Sequence, residues 1–105
     1  MYTSISRILM DLGIPAHRIG YKALSIAIPR YTPASVQSFT KELYPHVASQ
    51  LPGTTPSTVE AAIRRCISDA WPHRDPAAWD TYFPHQTKAP SNAAFIATLA
   101  EFLNE

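Results

Sequence analysis

The chain has 105 residues, of which 46% are hydrophobic and 16% charged, and its formal net charge is +1. That length accommodates one core with little material for a second, and the apolar content excludes a disordered, charge-driven chain. No apolar run approaches the ~18 residues that a membrane-spanning helix requires. Met1, Tyr2, Thr3 and Ser4 lack the basic and apolar segments of a secretory leader. A single domain over residues 1–105, working in the cytoplasm and not at a membrane, is therefore expected. The charge of +1 does not by itself point to nucleic acid, because lysine and arginine supply most phosphate affinity.

Ten prolines and three glycines divide the chain into helix-length segments, and no alternating strand pattern of useful length occurs. Ile5, Ile8, Leu9 and Leu12 share one helical face. Gly13, with Pro15 beyond it, offers the left-handed residue that ends a helix, so the first is predicted over about residues 4–12. The second is predicted over about 17–28, burying Ile19, Leu24 and Ala27 beside Tyr21 and Ile28, with Pro29 as its stop. Thr32 and Pro33 read as the cap and first turn of a third helix. Its stripe, Val36, Phe39, Leu43, Val47 and Leu51, is interrupted by Pro45, which should kink or split it. Leu51, Pro52, Gly53 and Thr54 make a short turn.

For the fourth helix two caps compete: Thr55 followed by Pro56, or Ser57 in a capping box with Glu60. The helix is predicted to run to Trp71, where Pro72 stops it. Its apolar stripe is Val59, Ala62, Ile63, Cys66, Ile67 and Ala70, which leaves Thr58, Glu60, Ala61, Arg64, Arg65 and Ser68 outward. Asp75 and Pro76 open a short helix bearing Trp79, Tyr82 and Phe83. Ser91 or Asn92 caps a last one, with Phe95, Ile96, Leu99, Phe102 and Leu103 inward. The expected fold is a compact, all-α six-helix bundle containing a helix-turn-helix at about residues 44–71.

Several chemistries lack their residues. His17, His46, His73 and His85 have no metal-ligand spacing, no second cysteine joins Cys66, and Gly13, Gly20 and Gly53 are too isolated to cradle a phosphate. Cys66 lies on an apolar stripe, where a thiol is protonated and inaccessible, so it is expected to be structural. No metal, cofactor or enzymatic activity is expected. What remains is the outer face of the fourth helix. A helix whose first turns carry slim side chains (Ser57, Thr58, Ala61) beside Glu60 fits a major groove about 12 Å wide, with Arg64 and Arg65 reaching bases or phosphates. Spacing alone leaves equally open that the two arginines merely solvate an outer face.

The order of residues along the chain adds a resemblance. Gly13-Ile14-Pro15-Ala16-His17, Gly20-Tyr21, Leu24, Ala27-Ile28, Leu43-Tyr44-Pro45 and Val47-Ala48 are followed in register by Val59-Glu60, Ala62-Ile63-Arg64, Ala70-Trp71, Lys88, Pro90, Asn92 and Phe95-Ile96-Ala97. Over nearly its whole length this resembles the C-terminal effector domains of the stage-zero sporulation protein A family. The resemblance implies a six-helix, winged-helix-like transcription-factor domain that binds double-stranded DNA. It further implies a recognition helix at about 56–71 in the major groove, tandem copies head to tail on adjacent half-sites, and contact with the sigma subunit of RNA polymerase. Family members carry a phosphorylated receiver domain ahead of this one; none precedes Met1 here, so an excised fragment or a stand-alone domain is expected.

Carried over by residue, Glu60 matches a base-facing glutamate of the family, whereas Thr58 and Ala61 stand where the family has two base-facing arginines. A bidentate arginine–guanine contact discriminates by about 1–3 kcal/mol, so altered or relaxed site preference is expected. Arg64 matches a family arginine, Arg65 replaces what is more often histidine, and Lys88 matches a phosphate contact. The expected function is a DNA-binding regulator of sporulation type. The alternative is a degenerate effector domain that keeps the fold but acts through protein contacts.

Overall fold

The computed structural model describes residues 4–31 and 38–103, and the regular structure among them is entirely helical. Helix α1 (Ile5–Asp11) begins at Ser4, whose hydroxyl accepts the Arg7 N–H at 3.3 Å. It ends as the glycine predicted: Gly13 sits at φ +81°, its N–H bonds the Met10 carbonyl at 3.0 Å, and the Ile14 N–H reaches the Leu9 carbonyl at 3.0 Å. Ile14 is thereby buried against the helix it terminates.

Helix α2 (Ile19–Arg30) corrects three expectations. It starts two residues later than predicted, because Arg18 is extended and acts as its N-cap position. It also runs through Pro29, which was expected to stop it. A proline in the last turn removes only one hydrogen bond, and the Tyr31 N–H closes the end on Ala27 and Ile28. Finally, Ile19 is 45% exposed; the inward row is Gly20, Ala23, Leu24, Ala27 and Ile28. Small residues lead this row because α2 crosses α4 (Pro56–Ala70) very closely. A Cβ on Gly20 would stand 2.6 Å from the Ala62 carbonyl oxygen and closer still to the Cys66 sulfur.

Thr32, Pro33 and Val36 lie outside the described residues. Downstream, Pro45 splits the segment as its missing N–H requires. A wide π turn over Phe39–Leu43, capped by the Ser38 hydroxyl on the Lys41 N–H, precedes α3 (Tyr44–Gln50). The Tyr44 N–H bonds the Phe39 carbonyl five residues back, which opens the turn around the proline ring. Gly53, at φ +80°, reverses the chain between α3 and α4, and the Thr54 hydroxyl bonds the Leu51 carbonyl at 2.7 Å.

Of the two candidate caps for α4, Thr55 is the one used. Its hydroxyl accepts the Thr58 N–H at 3.2 Å and the Thr58 hydroxyl accepts the Thr55 N–H at 2.8 Å. The Ser57–Glu60 box does not form, since Glu60 turns toward Arg64 instead. At the far end α4 tightens into a 3-10 turn, Trp71–His73, one residue before its predicted limit. Asp75 caps α5 (Pro76–Tyr82), and Ser91, not Asn92, caps α6 (Asn92–Leu103). Phe95, Ile96 and Leu99 point inward as predicted with Ala100, while Phe102 and Leu103 are only half-buried because α6 outruns the core there.

The buried residues form one apolar cluster to which every α-helix contributes. Trp79 is its largest member; the indole N–H donates to the Leu12 carbonyl at 3.1 Å, joining α5 to the end of α1. Trp71 meets Trp79 edge-on with centroids 5.3 Å apart, and Phe83 stacks on Phe95 at 5.4 Å. Trp71 thus ties the C-terminal end of α4 to this aromatic group, while α2, α3 and α6 pack on its inner face, so that its outer face is presented away from the core.

Candidate nucleic-acid interface

The inner face of α4 buries Val59, Ile63, Cys66, Ile67 and Ala70, with Ala62 half-buried against Gly20. The outer face begins with Ser57 and Thr58, both exposed, followed by Glu60 and Ala61, both half-buried. Arg64 and Arg65 are exposed and, being consecutive in a helix, leave its axis about 100° apart. They face opposite flanks. Arg64 borders a cleft with Tyr44, Glu60, Ser68 and the 89–92 segment, whereas Arg65 borders a groove with Arg18, Ile19 and Gly20. Lys88 is exposed and adjoins Ala89 on the Arg64 side, in a loop that reverses at His85 with φ +63°. The residues singled out from sequence thus divide into a slim centre (Ser57, Thr58, Ala61), one basic edge (Arg64 with the Lys88 loop) and a second (Arg65).

Three side chains of this face are already engaged: Thr58, Glu60 and Arg64. The Thr58 hydroxyl is committed to the helix cap, accepting from the Thr55 N–H and donating to the Thr55 carbonyl at 3.0 Å. The Glu60 carboxylate receives the Arg64 Nε–H at 3.1 Å, one helical turn on. Exposed pairs of this kind contribute about 0–1 kcal/mol, so the pair orients Arg64 more than it stabilises α4.

Four further residues, Arg18, Asp69, Asn92 and Tyr44, hold this face in place, and sequence reading gave them no such part. Arg18 pairs with Asp69 at 2.8 Å, fastening the start of α2 to the last turn of α4. Asn92, at the start of α6, donates from Nδ2 to the Glu60 carbonyl at 3.1 Å and to the Tyr44 hydroxyl at 3.3 Å. Tyr44 opens α3 and is buried; its phenol is pushed above the ordinary tyrosine range by burial, with the Asn92 hydrogen bond pulling down and the Glu60 charge pushing up. Such partners lie 51, 32 and 48 residues apart, beyond any local spacing rule.

Cys66 is buried at the α2–α4 crossing. Burial pushes its thiol up; Arg18 pulls it down, Asp69 pushes it up, and the backbone N–H groups of Tyr21 and Gly20 pull it down. A protonated, enclosed thiol makes a poor nucleophile. Among the described residues no cluster of three histidine, cysteine, aspartate or glutamate side chains is placed to hold a metal ion, and no helix is long and apolar enough to cross a membrane.

The family model described as sporulation initiation factor Spo0A C terminal matches residues 5–103. With a helical architecture of this order and a match over nearly its whole length, the chain belongs to the Spo0A C-terminal family, a family of DNA-binding regulatory domains of sporulation and not of enzymes.

Proposed function

We propose that this domain binds duplex DNA through the outer face of α4, with a site preference changed from that of the family. The observation that carries this reading is the shape of that face: small side chains at Ser57, Thr58 and Ala61, flanked by Arg64 on one edge and Arg65 on the other. A centre of this kind admits close approach to base edges, and divergent arginines suit the two phosphate strands that border a groove. Lys88 adds a cation on the Arg64 side. The change in preference follows from Thr58 and Ala61, which offer no guanidinium where the family has two. Binding in tandem and contact with the polymerase sigma subunit extend the proposal on resemblance alone, and the cytoplasmic location expected from the sequence is a further part of it.

The test is titration of a fluorescent randomised duplex pool at two salt concentrations, with Arg64→Ala, Arg65→Ala and Lys88→Ala beside the parent. The slope of log affinity against log salt should fall by roughly one for each phosphate contact removed. No binding at low salt would sink the proposal.

Two observations favour a second reading, in which the fold acts through protein contacts. Arg64 is paired to Glu60, and the net charge is only +1. Capture of a specific protein partner, with no shift of any duplex, would decide for it.

A further inference from the structure

We infer that Asn92 is a positioning residue for base readout, setting the rotation of α4 about its own axis. The inference rests on the DNA-binding reading above.

The cap of α6 is made by Ser91, whose hydroxyl accepts the Ala94 N–H at 3.1 Å. The Asn92 amide is therefore free for longer-range work. It donates to the Glu60 carbonyl at 3.1 Å and to the Tyr44 hydroxyl at 3.3 Å, so one side chain joins the first residues of α3 and α6 to the second turn of α4. A primary amide has two N–H donors, which matches the two acceptors.

The apolar stripe of α4 (Val59, Ile63, Cys66, Ile67) and the close crossing at Gly20 fix how deep the helix sits and limit its rotation on the α2 side, but apolar contact is non-directional and does not set the last few degrees. A hydrogen bond to a backbone carbonyl is directional. With side chains a helix is about 10–12 Å across, so turning it by about 10° moves an outer side chain by about 1 Å. Recognition groups need placement to about 0.5 Å. The tied carbonyl belongs to Glu60, whose carboxylate is itself bonded to Arg64, so the rotation Asn92 sets is passed to the polar side chains beside Ala61.

The separating variant is Asn92→Asp. A carboxylate in the first turn of α6 gains from the helix dipole, which offsets part of the cost of setting an acceptor against the Glu60 carbonyl, to which it cannot donate. The experiment compares the parent, Asn92→Ala, Asn92→Asp and Tyr44→Phe. The readout is the ratio of affinities for a duplex selected from a random library and for a scrambled duplex of the same composition. Circular dichroism at the binding temperature establishes that each variant is folded. Expected is a fall in that ratio of about three- to tenfold in Asn92→Ala and Asn92→Asp, the equivalent of one lost hydrogen bond, and a smaller fall in Tyr44→Phe. Asn92→Ala should leave the scrambled-duplex affinity and the salt slope unchanged, and should raise the Tyr44 phenol titration further, followed by NMR. A merely structural role would lower the melting temperature and leave the ratio alone. Should the Asn92 variants not fold, an unchanged ratio in Tyr44→Phe overturns the inference. Folded variants that discriminate as the parent does overturn the positioning role alone, while a parent that binds no duplex overturns the DNA reading and this inference with it.

Discussion

Replacing Gly20 with alanine sets two physical effects against each other. In the unfolded chain and in helix propensity alanine is favoured over glycine by about 0.5–1 kcal/mol, so a surface position would be stabilised. At Gly20 the added methyl would stand 2.6 Å from the Ala62 carbonyl oxygen. The Cys66 side chain can swing aside, but a helical carbonyl cannot move without its backbone. The helices α2 and α4 must therefore separate, loosening the packing of Ala23, Leu24, Ile63 and Ile67, and overpacking of this kind costs about 1–3 kcal/mol. The net expectation is destabilisation by about 0.5–2 kcal/mol, a fall in melting temperature of about 2–15 °C for a domain of this size. Thermal and urea unfolding followed by circular dichroism measure it. Adding Cys66→Ala relieves the contact at sulfur but not that at the Ala62 carbonyl, so rescue should be partial. A Gly20→Ala protein that melts at or above the parent temperature would refute the close-crossing argument.

Thr55→Ala removes the cap hydroxyl of α4 and should cost about 1 kcal/mol, with faster amide exchange confined to the first turn of that helix. Trp79→Phe replaces the buried indole by a smaller ring and orphans the Leu12 carbonyl; a loss of at least about 1–3 kcal/mol in urea unfolding is expected, from the unmet carbonyl and the space left behind, and an unchanged midpoint would contradict the bond. Glu60→Gln frees Arg64 and removes a negative charge, so affinity for scrambled duplex at low salt should rise severalfold in a fluorescence titration. Cys66, Tyr44 and Tyr82 all have folded pKa values raised chiefly by burial. Because each holds its proton more tightly when folded, their contribution is intact below the unfolded pKa and lost as pH rises through the folded one. Melting temperature should therefore decline above about pH 9, and Cys66 should react with a disulfide reagent only slowly at neutral pH.

Much of the fold is local, and for that reason legible in the amino-acid order. Gly13 and Gly53 stand where positive φ is needed, Asp75 and Ser91 cap the helices behind them, and the apolar spacing of α4 picked out Val59, Ile63, Cys66 and Ile67 as its inner face. Each follows from forces acting within one turn of backbone. The same locality misled at Pro29 and Ile19, where packing of α2 on α4 outweighed a stop signal and a hydrophobic side chain. The outward residues of α4, Ser57, Thr58, Glu60, Ala61, Arg64 and Arg65, could be named from the helix start and its periodicity, whereas Lys88, in a loop, could be named only from the family resemblance.

What only the tertiary structure decided is how these residues are held and divided. Gly20 looks like an isolated glycine until α4 is laid across it, and Asn92 like one of two possible caps until its amide is found on Glu60 and Tyr44. Arg64 and Arg65 are neighbours in sequence but face different flanks, because a helix turns its successive side chains apart and different elements, the 89–92 segment and the start of α2, border each side. Sequence determined which side chains the outer face of α4 carries. Contacts between elements dozens of residues apart determined how that face is oriented, since the directional bonds and close crossing that fix it join atoms with no local relationship in the chain.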